Sequence, residues 1–306
     1  MKKDITIYQD NAITRAAYDM SALEKDILLM LIAQINKDDN PGKSYFIEAK
    51  ELIERKGEEI SFEDFRKAGR TLLTRVFETW IDNNSKLLQS AFIASAVYHK
   101  GKGLIEIEVS KNVLPFYSDL KKNFTTIQLN MALGLSSKYS KRLYEYVSML
   151  KNFPNPYATI DLIELKKRLG VATFNGDKLV KDTYANFADF DKRVLKMAKT
   201  EIDKTDVNFT YELIYDKNRV RGRKKVNAIK FIVTKVKTPE TEQTDAQYHT
   251  ILARLVNEFR LRQDQAQQVL ATMSRQEISK TLYDISLERP KVRNIGSYTA
   301  AAFNLV

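Results

Sequence analysis

An α+β fold, mainly helical and built from one unit used twice, is predicted by three observations. The first is composition. A chain of 306 residues, 43% hydrophobic and 29% charged, suffices for two domains with real cores and a small third piece. The second is an order of elements, three helices and then a hairpin, that occurs twice along the chain. The third is identity between the copies. "IEAKELIERKG" at 47–57 and "IDLIELKKRLG" at 160–170 share Ile, Leu and Gly at an offset of 113 residues. "FEDFRK" at 62–67 and "FADFDK" at 187–192 share four of six positions at an offset of 125.

In the first copy, "SALEKDILLMLIAQINK" (21–37) is a helix opened by Ser21 with Glu24 three residues on, the capping-box spacing. A loop with Pro41 and Gly42 follows, then a short helix over 47–57 that stops at Gly57. "SFEDFRKAGRTLLTRVFETW" (61–80) reads as the third helix, with Glu63 and Asp64 in its first turn. "SAFIASAVYH" and "LIEIEVS" flank "KGKG" at 100–103, a hairpin signature. In the second copy, "SKYSKRLYEYVSMLKNF" (137–153) is an amphipathic helix, and a loop with Pro154 and Pro156 leads to a short helix ended by Gly170. "NFADFDKRVLKMAKTEID" (186–203) supplies the third helix, with Phe187, Phe190, Val194, Met197, Ala198 and Ile202 as its core stripe. "VNFTYELIY" (207–215) and "NAIKFIVTKV" (227–236) alternate around a turn. Helix, helix, helix, hairpin is the winged-helix order. The predicted organisation is a first winged helix over 1–124, a second over 125–237, a linker at 238–249 and a small helical extension at 250–306.

Charge bears on partners. The net charge is +11, which favours a polyanion, nucleic acid before membrane. The outer face of the 186–203 helix carries Lys192, Arg193, Lys196 and Lys199. A solvated face is the bland explanation. In a helix-turn-helix fold, however, the last helix of the trio enters the major groove, and its outer face is then polar and basic. The turn "KNRVRGRKK" (217–225) gathers Lys217, Arg219, Arg221, Arg223, Lys224 and Lys225 with no acid among them. Such a loop repels itself, whereas a wing with this charge straddles phosphates or enters the minor groove. The first copy is less emphatic. Arg66, Lys67, Arg70 and Arg75 are accompanied by Glu63, Asp64 and Glu78, so that copy touches DNA weakly or serves as a protein-contact surface.

Other chemistries find little support. There is no cysteine, which excludes disulfides and thiolate chemistry and fits a reducing compartment. "NPGKS" (40–44) resembles the end of a phosphate-binding loop, but the first glycine of that motif falls on Lys37. His99 and His249 are isolated, so neither a metal site, a cofactor nor a nicking centre is expected. Phe62, Phe65, Phe187 and Phe190 lie at helical spacing and are expected in cores rather than stacked on bases. With no secretory signal and no apolar run of membrane length, a soluble cytoplasmic protein is expected.

The chain resembles the replication initiators of theta-replicating plasmids, the RepB-type family with two winged helices. The resemblance lies in "LSSKYSKRLYEYV" (135–147), "LIELKKRLGV" (162–171), "FADFDKRVLKMAKTEID" (187–203), "VNAIKFIV" (226–233) and the opening helix "SALEKDILLMLIAQI" (21–35). It implies binding of repeated origin sequences (iterons) by monomers, opening of the adjacent duplex, and recruitment of the host initiator and replicative helicase. It also implies a homodimer, formed through the first domain, that represses its own gene. Lys192 and Arg193 fall on the basic pair early in the family's main recognition helix. Asp191 departs from the pattern, which commonly has a basic or polar residue there. A plain winged-helix repressor is the competing expectation.

Overall fold

The computed structural model describes residues 5–81, 85–99, 101–120, 123–175, 178–216, 225–235, 251–273, 278, 281–282, 284–285 and 294–305. The chain forms two compact units, 1–236 and 237–306.

The first unit opens with β1 (Thr6–Asp10), whose last residue caps α1 (Asn11–Arg15) by accepting from the Ala12 N–H at 2.7 Å. α2 (Ala22–Ile32) starts at the expected capping box. Ser21 Oγ accepts from Glu24 N at 3.2 Å, and the Glu24 carboxylate accepts from Ser21 N at 3.1 Å. The helix stops at Ile32 rather than 37, and its residues 24–32 are buried all round. β2 (Ser44–Glu48) takes the first two residues of the predicted second helix, which is α3 (Ala49–Lys56), ended by Gly57 at φ 73°.

α4 (Phe62–Leu72) corrects the predicted helix 61–80. Its last third is instead the strand β3 (Val76–Ile81), paired with β4 (Lys86–Ala91). Phe77 and Thr79 are buried between exposed or half-buried neighbours, the period of a strand. The predicted single strand 90–99 divides at the buried Phe92 into the end of β4 and β5 (Ile93–His99). β5 forms the expected hairpin with β6 (Leu104–Val109). Next come α5 (Pro115–Ser118), β7 (Phe124–Gln128) and α6 (Leu129–Leu133). β7 pairs antiparallel with β1, joining the chain's start to the entrance of the second copy.

The second copy comprises α7 (Lys138–Lys151), β8 (Tyr157–Asp161), α8 (Leu162–Arg168) and an unforeseen hairpin, β9 (Ala172–Asn175) with β10 (Lys178–Asp182). α9 then runs continuously over Phe187–Phe190, a π-helical turn Asp191–Lys196, and Met197–Ile202. β11 (Val207–Tyr215) and β12 (Val226–Lys235) close the copy.

Topology confirms the repeat. The sheets have the orders β2-β6-β5 and β8-β12-β11, so in each copy the strand before the short helix pairs with the last strand of the hairpin. The equivalent residues have equivalent roles. Ile47 and Ile160, Leu52 and Leu165, and Phe65 and Phe190 are all buried.

The two copies meet through α2 and α7, and the contact is ionic as well as apolar. Residues 139–150 of α7 are buried all round, Lys141, Arg142 and Glu145 included. Glu145 receives Lys25 at 2.5 Å and Arg142 at 2.6 Å, while Lys141 pairs with Asp26 at 2.5 Å. Arg142 also donates to the carbonyl of Ala16 at 2.8 Å. Burial pushes the Glu145 carboxyl up, but Lys25 and Arg142 outweigh it and hold it below the usual glutamate value. Burial pushes the Lys25 ammonium down. Buried pairs of this kind add little net stability against an apolar contact, yet removing one partner strands the other.

The second unit has a core of its own. Leu255, Phe259, Ala266, Val269, Ile278, Leu282 and Ile285 share one small core with Ala300 and Phe303. The predicted linker 238–249 lies outside the described residues.

Candidate nucleic-acid interface

α9 is fixed from its inner side. Asn186 caps it, its Oδ1 accepting from Ala188 N at 3.0 Å. Phe190, Val194, Ala198 and Ile202, each 0% exposed, succeed one another at intervals of four. An α-helix has 3.6 residues per turn, so a strict interval of four drifts by about 120° over twelve residues. The π-helical turn at Asp191–Lys196 absorbs that drift by taking an extra residue. The repeat shows the same insertion. Phe65 and Phe190 are 125 residues apart, whereas the buried pairs Ala68 and Val194, and Leu72 and Ala198, are 126 apart.

The outward side carries three of the four predicted cations in the open. Lys192, Arg193 and Lys196 are exposed. Lys199 is not free. It is half-buried, donates to Asp203 at 2.7 Å and to Asn208 at 3.1 Å, and lies 5.6 Å from the Phe209 ring centre. It ties α9 to β11. One member of the predicted core stripe is displaced. Met197 is 37% exposed, while the half-buried Phe187 packs against the core and Leu195 is fully buried.

Asp191 is held against β11. It accepts from the Tyr211 hydroxyl of β11 and pairs with Lys196 at 2.9 Å. Burial and the neighbouring Asp191 carboxylate hold the Tyr211 hydroxyl well above its ordinary pKa, so it remains a donor. The acid that departs from the family pattern is therefore a brace for the helix.

β11 and β12 reach the wing through a register shift between Ile214 and Tyr215. Tyr215 pairs with Val226, and Asp216 N donates to the Lys225 carbonyl at 2.9 Å. Lys225 is exposed at the wing's base. Lys217, Arg219, Arg221, Arg223 and Lys224 lie outside the described residues.

In the first copy Arg66, Lys67 and Arg70 are exposed on α4, whose opposite side buries Phe65, Ala68 and Leu72. Glu63 and Asp64 are exposed on the same helix. Phe62, expected in the core, is 45% exposed. Arg75 lies beyond the helix and grips Glu24 with two hydrogen bonds, at 2.7 and 3.0 Å. Among the described residues no group of three or more His, Asp or Glu is arranged to hold a metal ion. No helix among them is long and apolar enough to cross a membrane.

Family models match both copies. Residues 6–148 match the first winged helix of the initiator replication proteins, and residues 162–233 the second winged helix of the initiator Rep proteins. The chain belongs to the initiator Rep protein family. Among curated relatives of this initiator, the PI protein of Escherichia coli is 33% identical over 155 residues. That match covers 49% of this chain and 50% of the relative, so it spans about half the length of the curated protein. Among solved structures, a crystal structure of Pi initiator protein in complex with iteron DNA superposes with a TM-score of 0.64 at 23% identity. It covers 78% of this chain and the whole of the other chain, and it supports the fold.

Proposed function

We propose that this initiator binds repeated origin DNA sequence-specifically through its second winged helix, with α9 in the major groove and the 217–225 turn as the wing. One observation carries the reading. Lys192, Arg193 and Lys196 stand exposed along a helix whose other side is wholly locked into the domain. Cations so placed meet phosphates and the acceptor edge of guanine. The related Pi protein was crystallised with iteron DNA, which supports the same class of target here. Lys225 is exposed at the wing's base, and the neighbouring sequence adds Lys217, Arg219, Arg221, Arg223 and Lys224, the charge that a phosphate-binding wing requires.

On this reading monomers load on direct repeats. Duplex opening follows from binding strain and from recruitment of the host initiator and helicase, with no covalent step by the protein. A homodimer through the first domain, with Arg66, Lys67 and Arg70 as auxiliary contacts, represses the gene. The test is Arg193→Ala, titrated on a specific and a scrambled duplex. A base-reading arginine loses about 1–3 kcal/mol on the specific duplex alone. Equal weakening on both duplexes makes Arg193 a phosphate contact, and no weakening on either removes α9 from the groove.

A further inference from the structure

The exposure of Met197 is not explained by packing. Seven residues after Phe190, it would point within about 20° of Phe190, into the core, on an uninterrupted α-helix. The sequence pattern places it there. The π-helical turn instead brings Leu195 to 0% exposure and leaves Met197 37% exposed, on the side that carries Arg193 and Lys196. The turn is braced. Asp191 and Lys196, at its first and last residues, pair at 2.9 Å. In an α-helix side chains three or four apart meet, so a pair five apart belongs to the wider turn. The Tyr211 hydroxyl holds the same carboxylate from β11.

Met197 is thus an apolar, donor-free side chain within a basic surface. Its helical neighbours there are Arg193, four residues before, and Thr200, three after, whose hydroxyl is turned back onto the Lys196 carbonyl at 3.0 Å. In the major groove the apolar feature of a base pair is the C5-methyl group of thymine. A flexible thioether is well suited to pack on it.

We propose that Met197 is a specificity-determining residue that reads a thymine methyl, and that the π-turn exists to aim it. The inference rests on α9 lying in the major groove. It is tested by replacing each thymine of a selected duplex, one at a time, with deoxyuridine, which removes only the methyl. Wild-type protein should lose about fourfold in affinity at one position, the worth of one buried methyl (~0.8 kcal/mol). Met197→Ala should bind the thymine and uracil duplexes equally at that position, and Met197→Leu should restore the difference. A wild type indifferent to every replacement, or a Met197→Ala variant that keeps the discrimination, overturns the proposal. Arg193→Ala in the same titrations separates the two readings. If it weakens specific binding while the uracil series is flat, α9 is in the groove and Met197 reads nothing. If it has no effect, the placement of α9 fails and the proposal falls with it.

Discussion

The repeat supplies its own control for a stability prediction. Gly57 and Gly170 end the equivalent helices α3 and α8, and both are left-handed, at φ 73° and 65°. Alanine at either must adopt that conformation, at a cost of about 1–2 kcal/mol. At Gly57 an added Cβ meets nothing within 4 Å, so the conformational cost is the whole cost. At Gly170 the Cβ would lie 2.8 Å from Asp19 Cβ, 2.9 Å from Asp19 Cα and 2.9 Å from the Tyr18 carbonyl oxygen. These atoms lead into α2 of the first copy, and two of them are backbone, so no side-chain rotation relieves the overlap. Overpacking adds about 1–3 kcal/mol. Gly170→Ala should therefore lose about 2–5 kcal/mol and Gly57→Ala about 1–2. Urea unfolding followed by the fluorescence of Trp80, the single tryptophan, reports on the unit that contains both glycines. Equal losses for the two variants would refute the close packing of the copies at Gly170.

Three further outcomes are expected. Glu145→Gln strands the buried Lys25 and Arg142 and should lose about 3–5 kcal/mol in the same unfolding assay. Because the folded carboxyl titrates below its ordinary value of 4.5, its contribution is complete above that pH and is lost as pH falls through the folded value. The gap between wild type and Glu145→Gln should then narrow in acid, and a gap constant with pH would mean that Glu145 is not ionised in the fold. Neutralising Arg221, Arg223 and Lys224 should flatten the slope of log affinity against log salt by roughly 0.9 per lost phosphate contact. An unchanged slope would take the wing out of the interface. Deleting 240–306 should leave duplex affinity intact, since 1–236 is a compact unit by itself, and weakened binding would make the extension a DNA contact.

The repeated frame was legible because its markers are local. Ile47 and Ile160, Leu52 and Leu165, and the two helix-ending glycines recur at one offset, and each holds the same burial or backbone conformation in both copies. Pairings between distant segments were not. β1 and β7 join Thr6 to Gln128, and neither strand carries a turn signal that points to the other. β3 was hidden because "TLLTRVFETW" keeps its apolar residues at spacings that a helix also allows, while the change of period follows Leu72 directly. The buried ions escaped for another reason. Lys25, Lys141 and Glu145 sit where charge suggests solvent, and only the packing of α2 on α7 shows that they neutralise one another.

At the candidate interface, Lys192, Arg193 and Lys196 were found by helical phase, since they fall within the π-turn and not after it. Met197 and Lys199 follow it, and there a 3.6-residue period fails. Met197 emerges, and Lys199 rotates toward Asp203 and Asn208. A run of four apolar residues at a strict interval of four, Phe190 to Ile202, is the signal that would have revealed the turn.

The central claim, that this protein loads on repeated origin DNA through its second winged helix, is tested most directly by affinity selection from random duplexes. Each recovered duplex is then titrated with wild type and with a Lys192→Ala, Arg193→Ala, Lys196→Ala variant, and the complex is sized. The account predicts a non-palindromic site bound by one protein copy, repeated head to tail in the DNA beside the gene and lost to the triple variant. A single palindrome bound only by dimers, or a site that the triple variant binds as well as wild type, would contradict it.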